Sequence, residues 1–223
     1  MSQQVNSKPK IKWLKILFFA LFVKPLVLIG LGLNIVNRAK LPQHGPAVIV
    51  ANHTSHLDTL VLMSLYPLTT LNKIRPVAAA DYFMKNKFMR WFSTKCIDII
   101  PIDRQVMKAP DAIFAECHQA LEQNEILILF PEGTRSATEE RDFKLKRGVH
   151  LMLVKYPATP VVPVILRGLG KALPKGEALF VPFNCDVLVG DILTYTADSK
   201  TYLHNLEQCY LNLLAQTATH AAD

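Results

Sequence analysis

Two apolar runs, residues 16–23 and 26–33, open the chain and are interrupted only by Lys24 and Pro25. Beyond Leu41-Pro42 the pattern changes to short apolar runs alternating with helical periodicity. The runs 47–51, 75–79, 98–102, 125–130 and 161–166 have the length and near-continuous apolarity of strands buried on both faces, and 179–193 reads as one or two strands broken by Pro182 and Gly190. Between them, residues 57–65, 82–92, 109–121 and 148–155 have helical spacing, and Ile113, Phe114, Cys117 and Leu121 share one face of the third. Tyr202, Leu203, Leu206, Tyr210, Leu213 and Leu214 mark a closing amphipathic helix. Such strand–helix alternation predicts an α/β domain, a largely parallel sheet flanked by helices. The expected division is a basic, apolar membrane-anchoring segment over residues 1–40 and a single domain over 41–223. A chain of 223 residues suits one well-buried domain.

Together the two N-terminal runs approach the roughly 20 residues a spanning helix needs. Pro25 interrupts the helical ladder, and Lys24 at the bilayer centre would cost about 2.5–3.5 kcal/mol. Basic residues stand on both sides: Lys8, Lys10 and Lys12 before, Arg38 and Lys40 after. A span would carry one cluster across, against the positive-inside tendency. A helix–kink–helix dipping into one leaflet keeps both at one surface and lets Lys24 snorkel, so the monotopic arrangement is favoured over a kinked span.

Charge adds to that picture. The net +7 comes entirely from residues 1–40, which hold seven basic residues and no acid; the rest holds 18 of each sign. An excess flanking an apolar run reads as attraction to anionic lipid, whereas a nucleic-acid surface would spread it along a face with interleaved aromatics. Cys96, Cys117, Cys185 and Cys209 are scattered without the short spacings of a zinc site, and no cleavable signal is evident, so reduced thiols facing a cytoplasmic environment are expected.

Candidate chemistry gathers in two segments, each directly after a predicted strand. Asn52-His53-Thr54-Ser55-His56-Leu57-Asp58 offers an imidazole base with a carboxylate five positions on. Asp58 in the first helical turn can fix the His53 tautomer and stabilise its imidazolium. Ser55-x-x-Asp58 is equally a capping-box spacing, and on these residues alone both readings stand. A metal set built on His53, His56 and Asp58 lacks a second ligand cluster, and the Gly-x-Ser-x-Gly nucleophile elbow is absent. In Phe130-Pro131-Glu132-Gly133-Thr134-Arg135-Ser136, Gly133 permits a positive-φ turn and Arg135 can grip a phosphate through two parallel hydrogen bonds. A solvated surface turn remains the competing reading, as does an ordinary surface role for Arg104 beside Asp103 and for Lys146 in a basic loop. Loops at the carboxyl ends of parallel strands are where such groups would meet.

At these residues the sequence resembles the glycerolipid (lysophospholipid) acyltransferase family, which includes the bacterial 1-acyl-sn-glycerol-3-phosphate acyltransferases. Asn52, His53, Ser55 and Asp58 match its Asn-His-x-Ser-x-x-Asp motif, and Phe130 to Ser136 match its Phe-Pro-Glu-Gly-Thr-Arg-Ser motif residue for residue. Asp103-Arg104 matches the end of a third, with Ile100-Pro101 in place of the more usual glycine and apolar–aromatic pair. Val162-Pro163-Val164 matches a fourth, and Lys146 with Gly148 resembles the family's Lys-Gly step, spaced by one residue. The resemblance covers about residues 40–195. It implies transfer of a fatty acyl group from an acyl carrier protein or coenzyme A thioester to the hydroxyl of lysophosphatidic acid, giving phosphatidic acid. Another lysolipid, such as a lyso-ornithine lipid or a remodelled lysophospholipid, is the alternative acceptor, and a non-catalytic membrane-binding protein is the alternative outside enzymology. By the same resemblance His53 is the general base and Asp58 its orienter. Arg104, Glu132, Gly133, Thr134, Arg135 and, by its weaker match, Lys146 bind the acceptor. No metal or cofactor and no nucleic acid is implied, and placement at the cytoplasmic face of a bacterial inner membrane is expected.

Overall fold

The computed structural model describes residues 12–83, 86–103, 109–135, 143–172 and 184–220. A seven-stranded sheet runs through it, with strands β1 (Gly32–Val36), β2 (Ala47–Ala51), β3 (Ile74–Ala79), β4 (Ile100–Ile102), β5 (Ile126–Leu129), β6 (Val161–Arg167) and β7 (Asn184–Val189). The spatial order is β1-β7-β6-β2-β5-β3-β4. Every pairing is parallel except β6 with β7. Five strands thus run one way, and the β7–β1 pair runs the other. The largely parallel sheet expected from the sequence is present.

Why these runs become strands is visible in how they divide. Ala47, Ile49 and Ala51 of β2, with Ile126 and Ile128 of β5, belong to one buried cluster. Val48, Val50, Leu127 and Leu129 belong to the other. The two-residue period sends alternate side chains to opposite faces, and both faces are covered, so both sets must be apolar. The first face is covered by α1 (Trp13–Gly30) and α2 (Leu57–Ser64), the second by α6 (Ala115–Glu122), α7 (Gly148–Leu153) and α9 (Ser199–His220). The shorter helices α3 (Ala80–Phe83), α4 (Lys87–Phe92), α5 (Pro110–Ile113) and α8 (Leu169–Ala172) occupy the connections.

The N-terminal segment departs most from expectation. Its second apolar run does not stay helical: the chain leaves α1 at Leu31 and forms β1, which pairs with β7 inside the segment read as an anchor. Helix α1 continues through Pro25, widening into π-type turns over Phe19–Val23 and Leu26–Gly30. Those turns have a packing consequence. The buried residues Lys15, Phe19, Val23, Val27 and Leu31 recur every four positions, a period that drifts around an ordinary α-helix of 3.6 residues per turn. The wider turns take up the difference and hold the stripe on the core.

The basic residues of this segment also find protein partners. Lys12 and Lys15 bond Asp98, and Lys15 donates to the Ile74 carbonyl at 2.6 Å. Lys24, expected to snorkel to a bilayer surface, instead donates to the Ser64 and Tyr66 carbonyls at 3.0 and 2.9 Å, at the C-terminal end of α2. Arg38 donates to the Leu65 carbonyl, and Lys40 pairs with Asp191 at 2.8 Å. Cationic donors at a helix C-terminus satisfy carbonyls that have no intrahelical partner.

Candidate active site

Because β2 and β5 are parallel neighbours, the loops after them leave the sheet side by side. β6 flanks β2 on one side and β3 flanks β5 on the other. The two chemical segments therefore meet at the carboxyl edge of the sheet.

The first segment is held at both ends. The Asn52 side chain donates to the Leu166 carbonyl at 2.9 Å and accepts the Leu166 N–H at 2.7 Å, locking the loop to the end of β6. Asp58 is fully buried in the first turn of α2. Its Oδ2 accepts the backbone N–H of Thr54 at 2.7 Å and of Ser55 at 2.8 Å, and lies 2.9 Å from His53 Nδ1. The helix begins at Leu57, where the sequence pattern placed it, and Ser55 Oγ accepts the Leu57 N–H at 3.3 Å. Capping and orienting, rival readings in the sequence, are thus performed together by one carboxylate. With Nδ1 turned to Asp58, Nε2 is the ring nitrogen available to a substrate proton.

The second segment supports the first from beside it. Gly133 takes φ 70°, the left-handed turn predicted for it, and its N–H closes the turn on the Phe130 carbonyl at 3.0 Å. Phe130 stacks on the His53 ring with centroids 4.3 Å apart and planes at 25°. Glu132 Oε1 accepts the backbone N–H of His53 at 3.0 Å. Glu132 is buried, and desolvation raises its carboxyl above the usual range, with the His53 N–H bond pulling the other way. The Lys146 N–H donates to the Pro131 carbonyl at 2.8 Å, tying the segment before α7 to this loop.

A cavity of about 600 Å³ opens in front of these groups. His53, Gly133, Thr134, Arg135 and Lys146 line it, together with His56. Asp58 and Glu132 stand outside the lining: one holds the imidazole of His53, the other its backbone. Of the sequence-predicted site residues, then, five face the cavity and two brace His53, while Arg104 lies outside the described residues. Glu132 in particular was expected to contact the acceptor, and here its contact is with the loop that carries His53. Burial first, and then the charge of Arg135, lower the pKa of His56, which therefore stands neutral beside that guanidinium at ordinary pH. Among the described residues no three His, Cys, Asp or Glu side chains gather into a metal-ligand set.

A family model of acyltransferases matches residues 32–167, the stretch from β1 to the end of β6 that contains every element of this site. The chain belongs to the acyltransferase family. A probable 1-acyl-sn-glycerol-3-phosphate acyltransferase of Mycoplasma pneumoniae is 31% identical over 171 residues, 73% of this chain and 59% of that protein. The 1-acyl-sn-glycerol-3-phosphate acyltransferase of Bacillus subtilis is 27% identical over 177 residues, covering 79% of this chain and 81% of its own length. The chloroplastic LPAT1 of Arabidopsis thaliana is 29% identical over 75% of this chain. This acyltransferase-family chain spans about half of the plant and mycoplasma relatives, 48% and 59%. The crystal structure of the Thermotoga maritima lysophosphatidate acyltransferase PlsC superposes with a TM-score of 0.68 at 18% identity over 95% of this chain and 84% of that one, a likeness of fold.

Two features of the family site were missed in the sequence. One is the Phe130 ring, whose place in the strand-ending motif hid its contact with the His53 ring. The other is the wall supplied by Val77, Ala78, Ala79, Asp81 and Phe83. That wall was predictable only from strand order, because β3 becomes a neighbour of β5 through a crossover and not through sequence adjacency.

Proposed function

We propose that the chain acylates the free hydroxyl of 1-acyl-sn-glycerol-3-phosphate, taking a fatty acyl group from a thioester of acyl carrier protein or coenzyme A and releasing phosphatidic acid. The observation that carries the reading is the His53–Asp58 pair: an imidazole held at Nδ1 by a buried carboxylate, its other face on a cavity rimmed by Arg135 and Lys146. The acceptor hydroxyl gives its proton to His53 Nε2 as its oxygen attacks the thioester carbonyl. The new C–O bond forms, the C–S bond breaks, and the imidazolium returns the proton to the departing thiolate. Asp58 stabilises that imidazolium and fixes the tautomer that precedes it. Arg135 and Lys146, with the Thr134 hydroxyl, supply donors suited to a phosphate. The remaining cavity wall is largely apolar, as an acyl chain requires.

A lysolipid acceptor resides in a bilayer, and α1 suits that setting: its 18 residues are long and apolar enough to cross a membrane. One of its faces is buried on the domain while Trp13, Leu17, Leu21, Phe22, Leu28 and Ile29 are exposed. A helix docked along one side favours lying in the interface over crossing it, with the exposed face in the acyl boundary. The test is a matrix of lysolipid acceptors against acyl carrier protein and coenzyme A thioesters, assayed with the full chain in vesicles. Phosphatidate formation from lysophosphatidate is the expected product. No product from it, with turnover of another lysolipid, overturns the acceptor assignment.

A further inference from the structure

Residues 82–97 repeat the composition of the N-terminus on a smaller scale. They hold Lys85, Lys87, Arg90 and Lys95 and no acid, interleaved with Phe88, Met89, Trp91 and Phe92. Acids elsewhere balance these charges, so the whole-chain count conceals them. Helix α4, capped by the Asn86 side chain on the Phe88 N–H at 2.9 Å, has no fully buried residue, and only Phe92 is partly covered by the core. Phe88 is 67% exposed and Trp91 47%. Large apolar side chains that converge on a water-facing helix, rather than being scattered singly, mark an interaction surface.

The same rings join α4 to α1. Phe18 of α1 meets Phe92 edge-on with centroids 5.1 Å apart, and stacks on Phe22 at 6.0 Å. Phe92 stacks on Phe88 at 6.3 Å, and Phe88 lies 6.1 Å from Trp91. Five rings from two helices therefore form one strip, with Phe18 and Phe92 packed against the core and Phe22, Phe88 and Trp91 turned outward. Charge distinguishes the two halves. The described N-terminal bases bond protein groups, whereas Lys87, Arg90 and Lys95 are exposed around the strip. Aromatic rings fringed by exposed basic residues complement the acyl boundary and headgroups of an anionic leaflet.

We infer that α4, with the turn Ser93–Ile97 that follows it, is a second membrane-contacting element beside α1, seating Phe88 and Trp91 in the leaflet and presenting Lys87, Arg90 and Lys95 to anionic headgroups. It follows β3 and α3, whose Ala79, Asp81 and Phe83 line the cavity, so the bilayer contact is attached to a wall of the site. The inference rests on the interfacial placement of α1 proposed above.

The chain's two tryptophans, Trp13 and Trp91, fall one on each element, which separates the two claims. Full-length Trp13→Phe leaves Trp91 as the sole reporter, and Trp91→Phe leaves Trp13. Each is mixed with vesicles of phosphatidylcholine and phosphatidylglycerol whose acyl chains carry a shallow nitroxide. Both reporters should shift to the blue and be quenched, and Arg90→Gln should weaken partition about fivefold while leaving pure phosphatidylcholine binding little changed. Quenching of Trp13 with unaltered Trp91 emission overturns the role of α4 and leaves the membrane reading of α1 intact. Absence of quenching at both positions overturns both. A blue-shifted Trp91 without vesicles, in a chain that sediments as a dimer, assigns the strip to self-association instead. Acyl transfer to lysophosphatidate in detergent reports on the reaction separately from any of these results.

Discussion

Two carboxylates are buried at opposite ends of the sheet, and they are compensated in opposite ways. Asp58, at the carboxyl ends of the parallel strands, is held by two backbone N–H groups and one imidazole. Asp98 sits near the beginnings of β3 and β5 in a left-handed backbone conformation, φ 67°. It faces Lys12, Lys15 and, at 3.5 Å, Arg75, which also lies 3.7 Å from Glu125. Desolvating a carboxylate costs several kcal/mol unless it is paired. Lysine and arginine compensate by carrying a standing charge, which fastens α1 to the sheet and leaves little to move. Backbone dipoles compensate without a proton, so the imidazole beside Asp58 is left able to gain one. The first arrangement is a clamp, and the second suits the base proposed for acyl transfer. Between them lies α2, gripped at its C-terminal end by Lys24 and presenting Asp58 at its N-terminal end, so the same helix joins the N-terminal segment to the chemistry.

The largest effect should come from Asp58→Asn, which keeps an acceptor for the two backbone N–H groups but can hold the imidazole in the wrong tautomer and cannot stabilise its charge. The acylation rate should fall about 10²–10⁴-fold, with the thermal midpoint little changed. A midpoint collapse with normal specific activity in the folded fraction would make Asp58 a cap alone. Asp98→Asn should do the reverse. Leaving the buried cations without their counter-charge should cost about 3–5 kcal/mol in denaturant unfolding, with kcat of the folded enzyme retained. Loss of kcat without loss of stability would erase the distinction between the two ends.

A smaller effect is expected at the phosphate. Arg135→Lys keeps the charge but loses the two-pronged geometry, and should raise acceptor KM about tenfold with kcat largely kept. An unchanged KM removes Arg135 from acceptor binding. Smallest is a pH effect at the clamp. Burial lowers the Lys15 ammonium from 10.5 to about 8, the attraction of Asp98 offsetting part of the drop. Between those values the unfolded chain holds a proton that the folded chain has released, so the wild type gains stability as pH rises from 8 to 10.5. Lys15→Met has no such group, so the stability of the wild type relative to Lys15→Met should rise over that window. A difference independent of pH means that Lys15 stays charged in place.

The sequence revealed the sheet and the motif loops because both are local. Residues 47–51 coincide with β2, and 126–129 fall within the predicted 125–130, since strands buried on both faces are unbroken apolar runs. His53 and Asp58 were legible for the same reason, five residues apart on one turn. What was not legible depends on pairing at a distance. Gly32–Val36 looked like more anchor because an edge strand over a buried face is as apolar as a lipid-facing helix, and only β7, about 150 residues away, makes it a strand. Lys12, Lys15 and Lys24 looked like lipid-facing charges because nothing local discloses Asp98 or the carbonyls ending α2. The Glu132 contact with the His53 backbone was hidden for a like reason: it spans 79 residues of sequence.

The central claim is that His53 is the base for acyl transfer to lysophosphatidate. The direct measurement is the rate of phosphatidate formation by the full-length wild type and by His53→Ala, in vesicles and with equal membrane-bound protein verified. Glu132 bonds the backbone of residue 53, so the loop keeps its bracing in the variant. The wild type should form phosphatidate, and the variant should lose about 10²–10⁴-fold or more in rate while remaining folded and bound. Turnover by the folded variant at the wild-type rate would contradict the mechanism.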